Sequence, residues 1–322
     1  MKIKLSVLMS CALLAGLAQT NPTIVQTGYA FESPAVAPGQ MVNLEVTGLK
    51  TVLSPSLQRA SSIPLPTAIG GISVTVRQSI QQSIQDTNPT QISYSAPLLS
   101  VNQVNLCASA TTPDCLVTYI VAQMPYELNV GNPSPPIVHT GLVISEGDAG
   151  SQLFSAGVAF DHIHVITTCE DQPQQQGCGP VAAHLDGSQV SSQSPAKPGE
   201  IVVVYVWGAG SVSPPVTTGA ASPVPASAAD LPGYPQGLRV GFDFAPNAGP
   251  SRYFPANSFS MAYLTPGYVG LYQVNVQLPS ALPSVIPCGQ DFVQSNLTIN
   301  LGGPSSFDGA SICVQGNASA AQ

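Results

Sequence analysis

The chain has 322 residues, of which 7% are charged and 44% hydrophobic, with a net charge of -8 and no basic run. So little charge beside so much apolar content excludes a disordered chain, and the lack of a basic stripe excludes nucleic acid as an expected partner. The 29 glycines and 31 prolines, set between short apolar runs, are the punctuation of an all-β protein, and the length suits two domains.

Residues 1–20 read as a secretory signal peptide. Lys2 and Lys4 form its positive start, Leu5 to Leu17 is apolar, and Gly16 and Ala18 are the small residues expected before cleavage near Ala18–Gln19. That stretch is short for a membrane span, and no other segment reads as a transmembrane segment. Cys11, in "LMSC", raises lipidation as an alternative, but leaves only six residues after Lys4 as the apolar core. A lead-in, 21–30, follows.

The first domain is placed at 31–190. In "SPAVAPGQMVNLEVTGL" (33–49), Pro38-Gly39 supplies a turn, Met41 to Thr47 partly alternates as a half-buried strand does, and Gly48 releases the chain. "LPTAIGGISVTV" (65–76) continues into a strand at Gly71 to Arg77. "QSIQQSIQD" (78–86) carries the one helical hint, Ile80 and Ile84 four apart, and is read as a surface insertion. Further strands are expected at Val117 to Met124 and His162 to Thr168. The junction of the halves is sought around 145–190, where "HLDGSQ" (184–189) has the Asp-Gly of a tight hairpin.

The second domain is placed at 191–314, ahead of a frayed, disordered tail at 315–322. It opens on "SPAKPGEIVVVYVWGAG" (194–210), which repeats the plan of 33–49. Gly39 matches Gly199, Val42 matches Val202, Val46 matches Val206 and Gly48 matches Gly208. "LPGYPQGLRVGFDF" (231–244) answers 65–76, and "VQLPSAL" (276–282) answers "AQMPYEL" (122–128). Two tandem copies of one β-sandwich unit explain this order. In the second copy Ile201 to Trp207 is apolar throughout, so that strand is expected to be covered on both faces, the outer one by the partner domain. A polar loop is expected at 217–229, and strands at Val269 to Leu278 and Asn296 to Leu301.

Without the leader six cysteines remain, an even number that in an exported chain points to disulfides. Their spacing suggests three local bridges, Cys107–Cys115, Cys169–Cys178 and Cys288–Cys313. The first two would staple turn-rich hairpin tips. A structural metal site would need CxxC-like spacing, which is missing.

"PAKPGEIVVVYVWGAGSVSPPVTTGA" followed by "LTPGYVGLYQVNVQLPSALPS" resembles the Solibacter-type C-terminal domain, a module of secreted acidobacterial proteins. "VAPGQMVNLEVTGL", "MPYEL", "FDHIHVITTCED" and "VAAHLDGSQV" also have counterparts in that family. The likeness runs from about Phe31 to Leu301. One departure is an interruption between "QVNL" (103–106) and "QMPYEL" (123–128), which makes the Cys107–Cys115 segment an inserted hairpin. The resemblance implies export and β architecture and brings no catalytic residues with it.

Chemistry is sparse. In "DHIHV" (161–165), His162 and His164 would point the same way about 7 Å apart on a strand, as two ligands of a zinc or copper site do. His184 or His139, with Glu170 or Asp186, would have to complete it. The competing reading is a pair of strand histidines bonded to loop backbone. "SPAK" (194–197) satisfies Ser-x-x-Lys, but Pro195 and Pro198 forbid the helix that acyl-transfer pair needs. No cofactor motif occurs. Tyr268, Tyr272 and Tyr253 are candidate binding aromatics.

These residues predict an exported, disulfide-stapled pair of immunoglobulin-like β-sandwiches, secreted or periplasmic. The expected role is a non-catalytic binding or interaction module for an extracellular protein or glycan. The alternatives are an extracellular polysaccharide-acting enzyme or accessory module, and an exported metal-binding protein using His162 and His164.

Overall fold

The computed structural model describes residues 23–27, 35–107, 112–131, 136–147, 149–151, 153–168, 181–225, 228–229, 239–242, 253–254, 262–280, 297–300, 307–310 and 312–315. The signal peptide and Cys11, Cys169, Cys178 and Cys288 lie outside them. Within them the fold is all-β, with a single 3-10 turn at Pro113–Cys115 and no α-helix.

Two sheets build the first sandwich. One is antiparallel, in the order Thr23–Thr27, Met41–Thr47, Leu116–Gln123, Leu98–Asn105 and Leu57–Arg59. The other runs Ala35–Val36, Phe154–Val158, Ile137–Glu146, Ile72–Gln81 and Ala68–Ile69, with Thr90–Ala96 also paired to Ile72–Gln81. Alternation fixes which residues enter the core. Val42, Leu44 and Val46 point in from one sheet, and Ile72, Val74 and Val76 from the other.

The second sandwich centres on Ile201–Trp207, paired with Tyr272–Gln277, whose far side carries Ala262–Leu264. Val202, Val204, Val206, Tyr272, Val274 and Val276 fill its core with Ile312 and Val314. A four-stranded sheet is formed by Tyr253–Phe254, Arg239–Phe242, Leu297–Asn300 and Phe307–Ala310.

The repeated punctuation is real geometry. Gly39 and Gly199 have φ of +69° and +78°, and Gly48 and Gly208 have +80° and +79°, conformations that cost a side chain on the order of 1–2 kcal/mol. The hydrogen bonds repeat as well. The Gly39 amide donates to the Met124 carbonyl (3.1 Å) and the Gly199 amide to that of Pro279 (3.0 Å), while Met124 and Leu278 donate to Gln40 (2.7 Å) and Glu200 (2.8 Å). Val42 faces Ala122 in one copy and Val202 faces Val276 in the other.

Three expectations need correcting. His164–Val165 and Ala182–His184 both pair with Ile201–Trp207, so these strands of the 31–190 segment belong to the second sheet, and the division falls before them rather than at 190. The helical hint at 78–86 is wrong. Ile72–Gln81 is one continuous strand because Ile80 is buried, while Ile84 stands exposed past the strand end. Buried Gln78 joins that strand to 129 and 140: its amide nitrogen donates to the Asn129 carbonyl and Thr140 hydroxyl, and its oxygen accepts from the Asn129 amide. Lastly, the apolar run of the second copy alternates after all. Val202, Val204 and Val206 are buried, whereas Ile201, Val203 and Tyr205 are half-buried; only Trp207 is fully covered on the outer face.

What covers Trp207 is chiefly the first sandwich. It packs with Met41, Leu65 and Val121 and with Ile166 on its own sheet's side, and Tyr205 lies against the same cluster. Around this apolar contact several polar groups bridge the halves. Buried Gln40 accepts from the Ala37 amide (2.8 Å), which turns its nitrogen toward Nδ1 of His162 at 2.8 Å. Gln123 accepts from the Gly219 amide (2.6 Å), and the Leu65 amide donates to the Gly219 carbonyl (2.9 Å). Thr218 accepts from the Tyr126 amide (2.9 Å) and donates to Glu127 (2.6 Å). The start of the predicted 217–229 loop is thus a docking strap between the halves. Tyr126 in turn packs against the second core. Burial, with Glu127 nearby, pushes its phenol up to about 12.

Candidate functional site

The predicted site residues that are described each have a definite place, while Glu170 lies outside the described residues. His162 lies at the junction, its Nδ1 occupied by Gln40. His164 is buried, its ring 6.0 Å from that of Trp207 between centroids. Among the described residues no three His, Cys, Asp or Glu side chains are grouped to hold a metal ion. His139 sits on the Ile137–Glu146 strand of the first sandwich and His184 on a strand of the second.

The aromatic candidates separate. Tyr268 is exposed. Tyr272 is fully buried and its hydroxyl donates to the Gly210 carbonyl, so it is a core residue and not a surface ring. Tyr253 lies in a strand, with its side chain outside the described residues. Cys107 and Cys115 are disulfide-bonded with Cα atoms 5.4 Å apart. Cys313 is also disulfide-bonded; the expected partner Cys288, and both members of Cys169–Cys178, lie outside the described residues.

The most organised polar cluster was not expected. It lines a groove of about 610 Å³ bounded by His184, Asp186, Ser194, Lys197, Glu200 and Gln315. Its placement follows from strand register. His184 closes the Ala182–His184 strand directly opposite Val202, so Glu200 is its diagonal cross-strand neighbour. His184 Nδ1 meets Glu200 Oε1 at 2.5 Å, and Nε2 lies 3.1 Å from Ser194 Oγ and 3.0 Å from the Ser194 carbonyl. The other Glu200 oxygen accepts from the Lys197 amide (2.7 Å).

Turns on both sides hold this cluster. The hairpin at 184–189 forms, but with Leu185 and Asp186 rather than Asp-Gly at its centre: the Gly187 amide donates to the His184 carbonyl (2.9 Å), Gly187 follows at φ +85°, and Asp186 accepts from the amide and hydroxyl of Ser188. On the other side the Ser191 amide donates to the Ser194 carbonyl, and Ala196 is bonded to both Cys313 and Gln315.

The electrostatics are those of a charge-assisted pair. The hydrogen bond to Glu200 raises the His184 pKa, against a smaller opposing effect of burial, and the Ser194 carbonyl and Asp186 add to the rise. Burial pushes Glu200 up, but His184 and the Lys197 amide outweigh it and hold the carboxyl below its usual value. Sequence alone could not assemble these residues, since Ser194, His184 and Glu200 meet only through strand register.

No family model matches the chain, and no curated protein matches it significantly. Among the described residues no helix is long and apolar enough to cross a membrane.

Proposed function

We propose that this chain is an exported interaction module of two immunoglobulin-like sandwiches, of the Solibacter-type family, that recognises an extracellular protein or glycan. The observation that supports the reading best is the seam between the halves. It holds the loops beside it in a fixed relation, and those loops carry exposed apolar side chains. Ile63 lies two residues before Leu65, which is bonded to Gly219. Ser222 donates to the Tyr268 carbonyl at 2.8 Å and accepts from the Gly267 amide at 3.0 Å. Val224 and Tyr268, 84% and 58% exposed, therefore stand on adjoining loops. An exposed ring beside aliphatic groups offers contact area at small entropic cost, the composition of a recognition surface.

The test is capture of envelope glycans and proteins by the purified mature chain and by the double variant Val224→Asp, Tyr268→Ala. Specific capture lost in the folded double variant supports the reading. No specific capture, or capture the double variant retains in full, contradicts it. Export itself is checked by recovering the chain outside the cytoplasm with a new N-terminus near Gln19.

A further inference from the structure

Going beyond recognition, and independent of the Tyr268 surface, we propose that the groove at 184–200 is an acyl-transfer site for small carboxylic esters, with Ser194 as nucleophile, His184 as general base and Glu200 as its positioning residue. The geometry carries this. A serine hydroxyl 3.1 Å from one imidazole nitrogen and a carboxylate 2.5 Å from the other is the arrangement by which a weak nucleophile is activated. It is recognised by geometry and not by chain order. Here the order is His184, Ser194, Glu200, on a strand end, the loop after it and the residue before the next strand. Ser194 is exposed on the groove, so a substrate can reach its hydroxyl.

The step balances with groups on the page. Neutral His184 keeps its Nδ1 proton toward Glu200 and takes the Ser194 proton on Nε2 as Oγ forms a bond to the ester carbonyl carbon. The carbon–oxygen bond to the alcohol then breaks, and the proton passes from Nε2 to the departing alkoxide. Water, deprotonated by the same nitrogen, then attacks the acyl carbon; the bond from that carbon to Ser194 Oγ breaks, Oγ takes the proton back from Nε2, and the carboxylic acid is released. Lys197, on the same groove, is a cation available to the developing oxyanion. Leu185, 64% exposed, provides an apolar wall for a short acyl chain. The open groove encloses no extended peptide, and an alkoxide departs more readily than an amine, so the substrate class is an ester.

One contact sets a condition. The Ser194 carbonyl, 3.0 Å from Nε2, is a partner for the protonated ring, and Glu200, Asp186 and this carbonyl together favour that form. The neutral base is therefore populated on the alkaline side of the ordinary histidine range.

The experiment uses the full mature chain with p-nitrophenyl acetate and a fluorophosphonate probe, followed by peptide mapping. The expected result is hydrolysis that rises with pH and a probe adduct on Ser194. In Ser194→Ala the adduct disappears and hydrolysis falls by about 100-fold or more. Glu200→Gln should move the pH profile toward lower pH, a readout that a purely structural role would leave unchanged. Should the Glu200 variant fail to fold, Ser194→Ala decides alone, because that side chain is exposed. No adduct on Ser194, or hydrolysis unchanged in Ser194→Ala, overturns the proposal.

Discussion

Gln40 and His162 meet at 2.8 Å where the two sandwiches join. Gln40 is fully buried, and its oxygen is already held by the Ala37 amide, so its nitrogen faces the imidazole and Nδ1 of His162 accepts. His162, one of the candidate metal ligands, thus takes part in the seam through Nδ1. Replacing Gln40 with Leu removes one partner from each of two groups. That should cost about 1–3 kcal/mol, measured by urea denaturation, and a variant as stable as wild type would show that the seam does not need this bond.

Gly208 tests the punctuation of the repeat. It sits at φ +79° with the His162 carbonyl where a Cβ would go, whereas Gly187 has φ +85° with open space around it. Gly187→Ala should therefore cost only the backbone strain, on the order of 1–2 kcal/mol. Gly208→Ala adds a backbone clash at the seam and should cost at least about 3 kcal/mol. Equal losses in the two variants would contradict the close approach.

The His184–Glu200 pair gives stability a defined pH dependence. His184 is raised in the folded state, so its contribution is full below the unfolded histidine value and is lost as pH rises through the folded one. Glu200 is lowered, so its contribution is present above the unfolded carboxylate value and lost as pH falls through the folded one. Stability should be greatest between these limits. In His184→Gln the alkaline decline should vanish; thermal unfolding across pH that leaves it intact would place its origin elsewhere.

Cys107 and Cys115 close the hairpin between the Leu98–Asn105 and Leu116–Gln123 strands. Replacing both with serine should cost about 2–3 kcal/mol by the loop-entropy relation, less any structure retained in the unfolded chain. A thiol count on the denatured, unreduced mature protein should find Cys107, Cys115 and Cys313 all blocked.

Much of the fold was legible because its signals are local. A Pro-Gly before a strand and a Gly after it require positive φ at both ends, and Gly39, Gly48, Gly199 and Gly208 all adopt it. Tyr272 was misread although the pattern held the answer. It shares the parity of Val274 and Val276, and that parity points into the core. Ile80 and Ile84 suggested a helix because four-residue spacing satisfies both periods, two and 3.6, over so short a span. The groove was invisible for a different reason. His184 opens a turn whose Asp-Gly step explains it by conformation alone, and the sequence partner that Ser194 offers for catalysis is Lys197. Nothing in sequence spacing announces that a strand end and the residue just before a neighbouring strand will be diagonal neighbours.

The seam itself rests on Trp207, the lone tryptophan, buried against Met41, Leu65, Val121 and Ile166. If it makes one unit of the two sandwiches, calorimetry of the mature chain should show a single cooperative unfolding transition. Trp207→Ala, at about 3–5 kcal/mol, should lower that transition and split it into two. Two separate transitions in the wild-type chain, or a single unshifted one in Trp207→Ala, would contradict the coupling.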